Sequence, residues 1–211
     1  MSWEPSRWTG PRLAAYAPLV ARLAAFSRWP SVDELDAVLA DRLRAGRPVR
    51  LVAQPSSRAP DTLLYEVHVV ERGEVPTREE NPHDLWNALV WATFPRAKWA
   101  LADRLGAIQR ERAAAGPRLP GTRAPSHDRL AMLDEGGLIV SSGRAVVFGH
   151  AVLEHAARGI DTIRAARFSL PGDRSWDRDV IDLALASAIT DGREIDPGPG
   201  IAIDATTLVP W

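Results

Sequence analysis

The chain has 211 residues, 45% of them hydrophobic and 25% charged, with a formal net charge of -1. These values suit a globular protein with a sizeable core, and near-neutrality argues against a main task of coating nucleic acid or anionic lipid. The absence of cysteine excludes disulfides, thiolate nucleophiles and Cys-based metal sites. There are 26 basic residues, all arginine except Lys98, a bias read as codon usage before phosphate recognition. The first residues have neither the basic start nor the apolar stretch of a signal peptide. The longest apolar run, residues 85–94, contains Asn87 and falls far short of the roughly 20 residues that a membrane span needs. A cytoplasmic location with no membrane contact is expected.

Taken in chain order, residues 13–26 carry the pattern of an amphipathic helix kinked by Pro18. Ser31 caps a second helix, with Glu34 at capping-box spacing and Leu35, Val38, Leu39 and Leu43 on one face. Residues 49–53 predict a short strand and residues 54–61 an exposed loop. In residues 63–70, Tyr65, Val67 and Val69 alternate with Glu66 and His68, the period of a half-buried strand, and a Pro-containing turn follows over 73–77. Asn81 caps a helix with Pro82 at its first position and Asp84 in its first turn, apolar to Phe94. Pro95 opens another helix that ends near Gly116, and a loop follows over 116–126.

Residues 130–133 and 138–140 predict strands joined as a hairpin across Asp134, Glu135, Gly136 and Gly137. A strand over 146–148 feeds through Gly149 into a helix from His150 to Ala157, followed by a strand over 163–170 and a helix over 176–189. From Asp196 the tail reads as irregular. The expected architecture is α+β, with several helices packed around a small, mostly antiparallel sheet. It forms a single domain with a helical arm over 1–30, a core over 26–154, and a strand, helix and irregular tail over 155–211.

No phosphate-binding loop, dinucleotide fingerprint, nucleophile elbow or His-Glu-x-x-His helix is present. Three polar clusters stand out instead. In the first, Arg78 precedes His83, Asp84 and Asn87; His83 and Asn87 are four apart and share a helix face. The positive polarisation of a helix start favours a neutral His83, the form that a general base or metal ligand needs. The plainer reading has Asp84 completing the Asn81 cap while His83 and Asn87 join a buried hydrogen-bonded set. In the second, His150 opens a helix with Glu154 four residues on. That spacing suits two ligands of one metal, a carboxylate orienting an imidazole, or an ordinary exposed pair. In the third, Asp134 and Glu135 either face a cation or serve as turn chemistry. The basic stretch from Arg96 to Arg129 reads as a solvated helix face, and Trp86 and Trp91 as core residues. Nucleic acid is therefore not an expected partner; the clusters are compatible with a small-molecule ligand, and the sequence names no partner.

Specific residues also resemble a known pattern. Tyr65, Glu66, Gly73, Val75, Pro76, Thr77, Arg78, Asn81, His83, Asp84, Asn87, Trp91, Phe94, Pro95 and Lys98 are similar to the central motif of an uncharacterised bacterial family, the domain of unknown function (DUF) 3025. Leu130, Asp134, Glu135 and Gly137, then Phe148, Gly149, His150, Ala151 and Glu154, resemble its later motifs in the same order. Pro82 stands where the family pattern has an aromatic, Ala131 to Leu133 depart from it, and nothing past Glu154 is carried over. The resemblance implies no activity. It does single out the same three clusters.

The reading that follows is a small enzyme, hydrolase-like, with His83, Asp84, His150 and Glu154 catalytic and Arg78, Asn87, Asp134 and Glu135 holding substrate. Two histidines and a carboxylate are also compatible with a divalent metal. The alternative is a non-catalytic binding or interaction protein in which the same residues form a buried network. The choice rests on whether the His83 and His150 rings meet in a pocket that solvent reaches.

Overall fold

The computed structural model describes residues 2–54, 65–114, 125–141, 143–160, 164–170, 176–192 and 198–202. The loops expected over 55–61 and 116–124, and the tail over 196–197 and beyond 202, lie outside the described residues.

The chain enters through two 3-10 turns, Pro5–Arg7 and Pro11–Tyr16, and helix α1 (Ala17–Leu23). Pro18 sits in the first turn of α1 rather than kinking a longer helix, a position where its missing N–H has no helical partner to lose. Helix α2 (Val32–Leu43) starts with the expected capping box. Ser31 Oγ accepts from the Glu34 backbone N–H at 3.2 Å, and Glu34 Oε2 accepts from the Ser31 N–H at 2.8 Å. Leu35, Leu39 and Leu43 are buried beneath it.

Strand β1 (Arg50–Ala53), helix α3 (Tyr65–Arg72) and strand β2 (Glu74–Thr77) form a crossover unit in which β1 and β2 pair in parallel. This corrects two expectations. Residues 65–72 are a helix, not a strand, and 74–77 are a strand, not a turn. A short run with valines at 67, 69 and 70 satisfies both periods, and packing decides between them. Helix α3 lies against α5 (Pro95–Ala114), where Gly106 faces the Glu66 carbonyl and the Val70 side chain. A chain leaving β1 and returning parallel to it needs such a crossover.

Helix α4 (Pro82–Thr93) buries Trp86 and Trp91 in the core, as expected, and α5 follows after Phe94 alone. Helix α6 (Pro125–Gly136) replaces the strand expected over 130–133, burying Leu130 and Leu133 while Met132 faces outward. Strands β3 (Gly137–Ser141) and β4 (Arg144–Val147) precede helix α7 (His150–Ala157), strand β5 (Arg164–Ser169), helix α8 (Arg178–Thr190) and strand β6 (Gly198–Ala202).

The second sheet has the order β4-β3-β5-β6. It is mixed: β3 pairs antiparallel with β4, parallel with β5 across the α7 connection, and β5 antiparallel with β6; with the parallel β1–β2 pair, the sheets together are not mostly antiparallel as expected. The tail segment over 198–202, expected to be irregular, is this edge strand, a place where Pro199 is tolerated. The fold is thus α+β with mixed sheets. Its apolar core is a continuous cluster from Trp8 to Ile189, tied to the second sheet by the Tyr16 hydroxyl, which donates to the Val147 carbonyl at 2.7 Å. No helix among the described residues is long and apolar enough to cross a membrane.

Helix α5 begins so soon after α4 that Phe94 occupies its capping position, and the Thr93 hydroxyl is turned back to the Leu89 carbonyl. Asp182 from α8 supplies the cap, accepting from the backbone N–H of Ala97 at 2.8 Å and of Arg96 at 3.1 Å. The carboxylate is 0% exposed, and burial pushes its pKa up. Arg104 of the same helix donates to the Ile189 carbonyl at 2.7 Å, so part of the basic stretch joins α5 to α8 rather than forming a solvated face. Replacing Asp182 by alanine leaves the buried Ala97 N–H and the part-buried Arg96 N–H without their acceptor and is expected to lower unfolding free energy by about 2–3 kcal/mol. Asp182→Asn keeps one acceptor and loses less; urea denaturation of both variants checks the order.

Candidate metal centre

Three elements place the central side chains. Asn81 is extended, and its Oδ1 accepts from the Asp84 N–H at 3.1 Å. Pro82 takes the first helical position, which puts His83 on the opening turn of α4. Asp84 reaches back along the chain: it accepts from the Arg78 backbone N–H at 2.8 Å, from Arg78 Nε at 2.9 Å and from Arg78 Nη2 at 2.8 Å. Its Oδ1 lies 3.4 Å from His83 Nδ1. The cap, the acid and the guanidinium therefore hold His83 with Nε2 facing away from them.

His150 opens α7 after Gly149, whose φ of -65° is ordinary for any residue. Space is what requires the glycine. A Cβ at this position would lie 2.5 Å from the Glu135 carbonyl oxygen, 2.5 Å from Gly137 N and 2.6 Å from Gly136 N. The close approach is fixed by Phe148 and Gly149, whose N–H groups both donate to the Gly137 carbonyl at 2.9 Å. It brings Glu135, at the end of α6, beside His150.

Asp134 and Glu135 were expected on a hairpin turn. They lie instead in the last turn of α6, and successive helical residues diverge by about 100°. Glu135 turns to the imidazoles and Asp134 to Lys98 and the far edge of the His150 ring.

His83 and His150 meet. Their ring centroids are 4.4 Å apart, their Nε2 atoms 3.1 Å apart, and Glu135 Oε2 lies 3.3 Å from the first and 3.4 Å from the second. His150 is 3% exposed, while the His83 and Glu135 side chains are open to solvent on one side, at 35% and 55%. His83, Glu135 and His150 are the group among the described residues with the arrangement of a metal site.

The helix start does not keep His83 neutral. Hydrogen bonding to Asp84, then to Glu135, pushes its pKa up to about 9, because two nearby carboxylates outweigh the roughly half charge of a helix terminus. The His150 contact, then the His83 contact, holds Glu135 well below the usual carboxylate range. Burial works to raise the Asp84 carboxyl, but the Arg78 and His83 contacts overcome it and leave it depressed.

Behind the histidines runs a second polar set. Lys98, 2% exposed, places Nζ 2.5 Å from Asp134 Oδ1 and 2.9 Å from Asn87 Oδ1, and Asn87 donates to the Tyr65 hydroxyl at 3.0 Å. Burial, then the Asp134 charge, raises the Tyr65 pKa, so the hydroxyl keeps its proton. Among the expected site residues, Arg78, Asp84, Asp134 and Glu135 surround the two rings and Asn87 lies in the set behind them. Glu154 pairs with Arg158 one helical turn on, at 2.5 Å, and reaches this group only through its charge, which acts on Arg78. Sequence reasoning passed over Lys98 and Tyr65, reading one as part of a basic face and the other as strand. The signal that marks Lys98 is its being the single lysine.

Residues 49–145 match the family model described as "Protein of unknown function (DUF3025)", in agreement with the motif resemblance. No curated protein sequence matches the chain. Among solved structures, phenylalanine hydroxylase from Chromobacterium violaceum matches in several forms. Two mutant forms give TM-scores of 0.51 and 0.52 at 16% identity, over 94% of this chain and 86% or 85% of that one. The form with bound oxidized Fe(III) gives 0.51 at 13% identity, over 94% and 86%. These likenesses are of fold.

Gly149→Ala forces a β-carbon into backbone on three sides and is expected to cost about 2–3 kcal/mol of stability, separating Glu135 from His150. Unfolding curves measure the cost. In the variant's crystal structure, a Glu135–His150 contact kept at its present length would refute the steric argument.

Proposed function

Proceeding from a family description that assigns no chemistry, we propose that the chain is a small metal-dependent enzyme in which His83, Glu135 and His150 hold one divalent ion, Fe(II) by preference. The observation that carries the reading is the triangle of donor atoms with edges of 3.1, 3.3 and 3.4 Å. An ion about 2.1 Å from each donor needs edges of roughly 3.0 Å at right angles and 3.4 Å at tetrahedral angles. Three donors from different elements, with both imidazoles presenting Nε2, fit that requirement. Two histidines and one carboxylate on one face is the donor set of non-haem iron oxygenases, in which the ion supplies open positions where small molecules can meet.

The fold neighbours point the same way. Forms of the Chromobacterium violaceum phenylalanine hydroxylase carry oxidized Fe(III) and cobalt. The hydrolase expected from the sequence gains no support from these neighbours, which are hydroxylases. An oxygen-dependent reaction is the better fit to the donor set.

The chain's own residues have distinct tasks. Asp84, fixed by two contacts from the Arg78 side chain and one from its backbone, orients His83 through Nδ1. The solvent-open edge of His83 and Glu135 is the side from which substrate approaches. Arg78, half exposed on the Asp84 side of His83, is the residue assigned to meet an anionic group. A purely structural network accounts for Lys98, Asn87 and Tyr65 but gives no reason for three inward-facing donors.

Purified protein equilibrated with Fe(II) under anaerobic conditions, or with Co(II), is expected to bind one ion per chain. His83→Ala and His150→Ala should each weaken binding more than the roughly 100-fold that outer-shell changes reach. Failure to bind Fe(II), Co(II) or Zn(II) stoichiometrically overturns the proposal, and exclusive binding of Zn(II) returns the chemistry to hydrolysis. Binding is also linked to protons. A raised His83 pKa means that the ring is protonated at neutral pH and the ion competes with that proton, so affinity should rise with pH by roughly tenfold per unit for each proton released. Titrations at pH 6.5 and 8 measure the slope; a flat profile means that His83 carries no proton for the ion to displace, and overturns the raised pKa.

A further inference from the structure

His83 has its orienting carboxylate, and His150 has a buried Nδ1 with no hydrogen-bond partner among the described residues. Asp134 Oδ1 lies 3.9 Å from that nitrogen, too far for a hydrogen bond, on the side of the ring opposite the Nε2 that meets His83 and Glu135. The carboxylate is fixed from behind by Lys98, which Asn87 and Tyr65 hold in turn. The two halves of the site then read alike: Arg78, Asp84 and His83 on one side, Lys98, Asp134 and His150 on the other. Each has a cation, a carboxylate and an imidazole in line.

We propose that Asp134, held by Lys98, is the positioning residue of His150, taking its Nδ1–H so that Nε2 keeps a lone pair turned toward His83 and Glu135. This rests on the metal reading above and adds to it a role for two residues that touch neither ion nor substrate. Three observations carry it. The first is the orphaned nitrogen. A buried N–H without an acceptor is a cost that folded proteins seldom leave in place, and a ligating histidine almost always donates its other N–H to a carboxylate, carbonyl or water.

The second is the choice of cation. Every basic residue but one is arginine, and the exception is buried here. An ammonium is a compact charge with three donors on a flexible stem, whereas the planar guanidinium needs a wide fork of acceptors. The gap between Asp134 and Asn87 is filled by a single Nζ atom reaching both. The third is the divergence at the end of α6. It sends Glu135 to the donor triangle and Asp134 behind the ring, so one helical turn supplies a ligand and the support of another ligand.

The test uses the full chain with Co(II), whose absorption bands report ligand geometry. Asp134→Asn is expected to weaken Co(II) affinity 10–100-fold and to shift the bands while the ratio of ion to chain stays at one. Asp134→Asn alone strands the buried Lys98 ammonium, so the second variant is Lys98→Met with Asp134→Asn, which removes both charges together; it should match the single Asp134 variant in affinity and spectrum. Wild-type affinity and bands in both variants would overturn the positioning role even if urea unfolding showed lower stability, because a merely structural pair changes the fold's stability and leaves the ion's surroundings alone. A wild-type chain that binds no ion overturns the metal reading itself, and this inference with it.

Discussion

The backbone of residues 135–137 passes Gly149 with no space for a β-carbon, held there by two N–H groups that share the Gly137 carbonyl, and the composition of the site follows from that contact. It seats the end of α6 against the start of α7, so an acid and a histidine far apart in the chain become neighbours. Helix α4 packs on α7 and brings the second histidine to the same point. The interaction is between main chains, so it fixes positions more tightly than side-chain packing could. Glu135 and His150 then have little freedom except about their own side-chain bonds, the condition that a site needs to keep its donors in place before any ligand arrives.

The electrostatics follow the same plan. Charges taken out of water are costly unless each is paired and hydrogen-bonded, and here Arg78 faces Asp84 while Lys98 faces Asp134. These pairs place negative charge behind imidazoles without leaving it bare. Carboxylates around His83 raise its proton affinity, and the same field favours a divalent cation over water at the triangle. In the proposed site a proton and a metal thus compete for one electrostatic environment.

Much of the local structure was legible in the sequence. The Ser31 and Asn81 caps, and the helix that His150 opens, rest on contacts within four residues, which the chain order displays directly. Residues 65–72 and 130–133 were not legible, because runs of that length satisfy a strand period and a helical one alike until a packing partner chooses. That ambiguity spread. A helix missed between β1 and β2 concealed their parallel pairing, and a helix missed before β3 turned Asp134 and Glu135 into hairpin residues sharing one role. The meeting of His83 and His150 was proposed from their matching helix starts, but the third donor was legible only as a nearby acid, since its direction depends on the end of α6. The stretch matched by the family model ends before His150, so that stretch holds only part of the donor triangle.

Lys98 has one more consequence, for chemistry done on the protein rather than by it. With every other basic side chain an arginine, reagents selective for primary amines find a single side-chain target, and it sits in the interior, tied to Asp134 and Asn87. Acylation at that nitrogen requires the core behind the histidines to open, so its rate follows the local opening equilibrium rather than surface reactivity. The chain carries, in one atom, an intrinsic probe of how often its own centre comes apart.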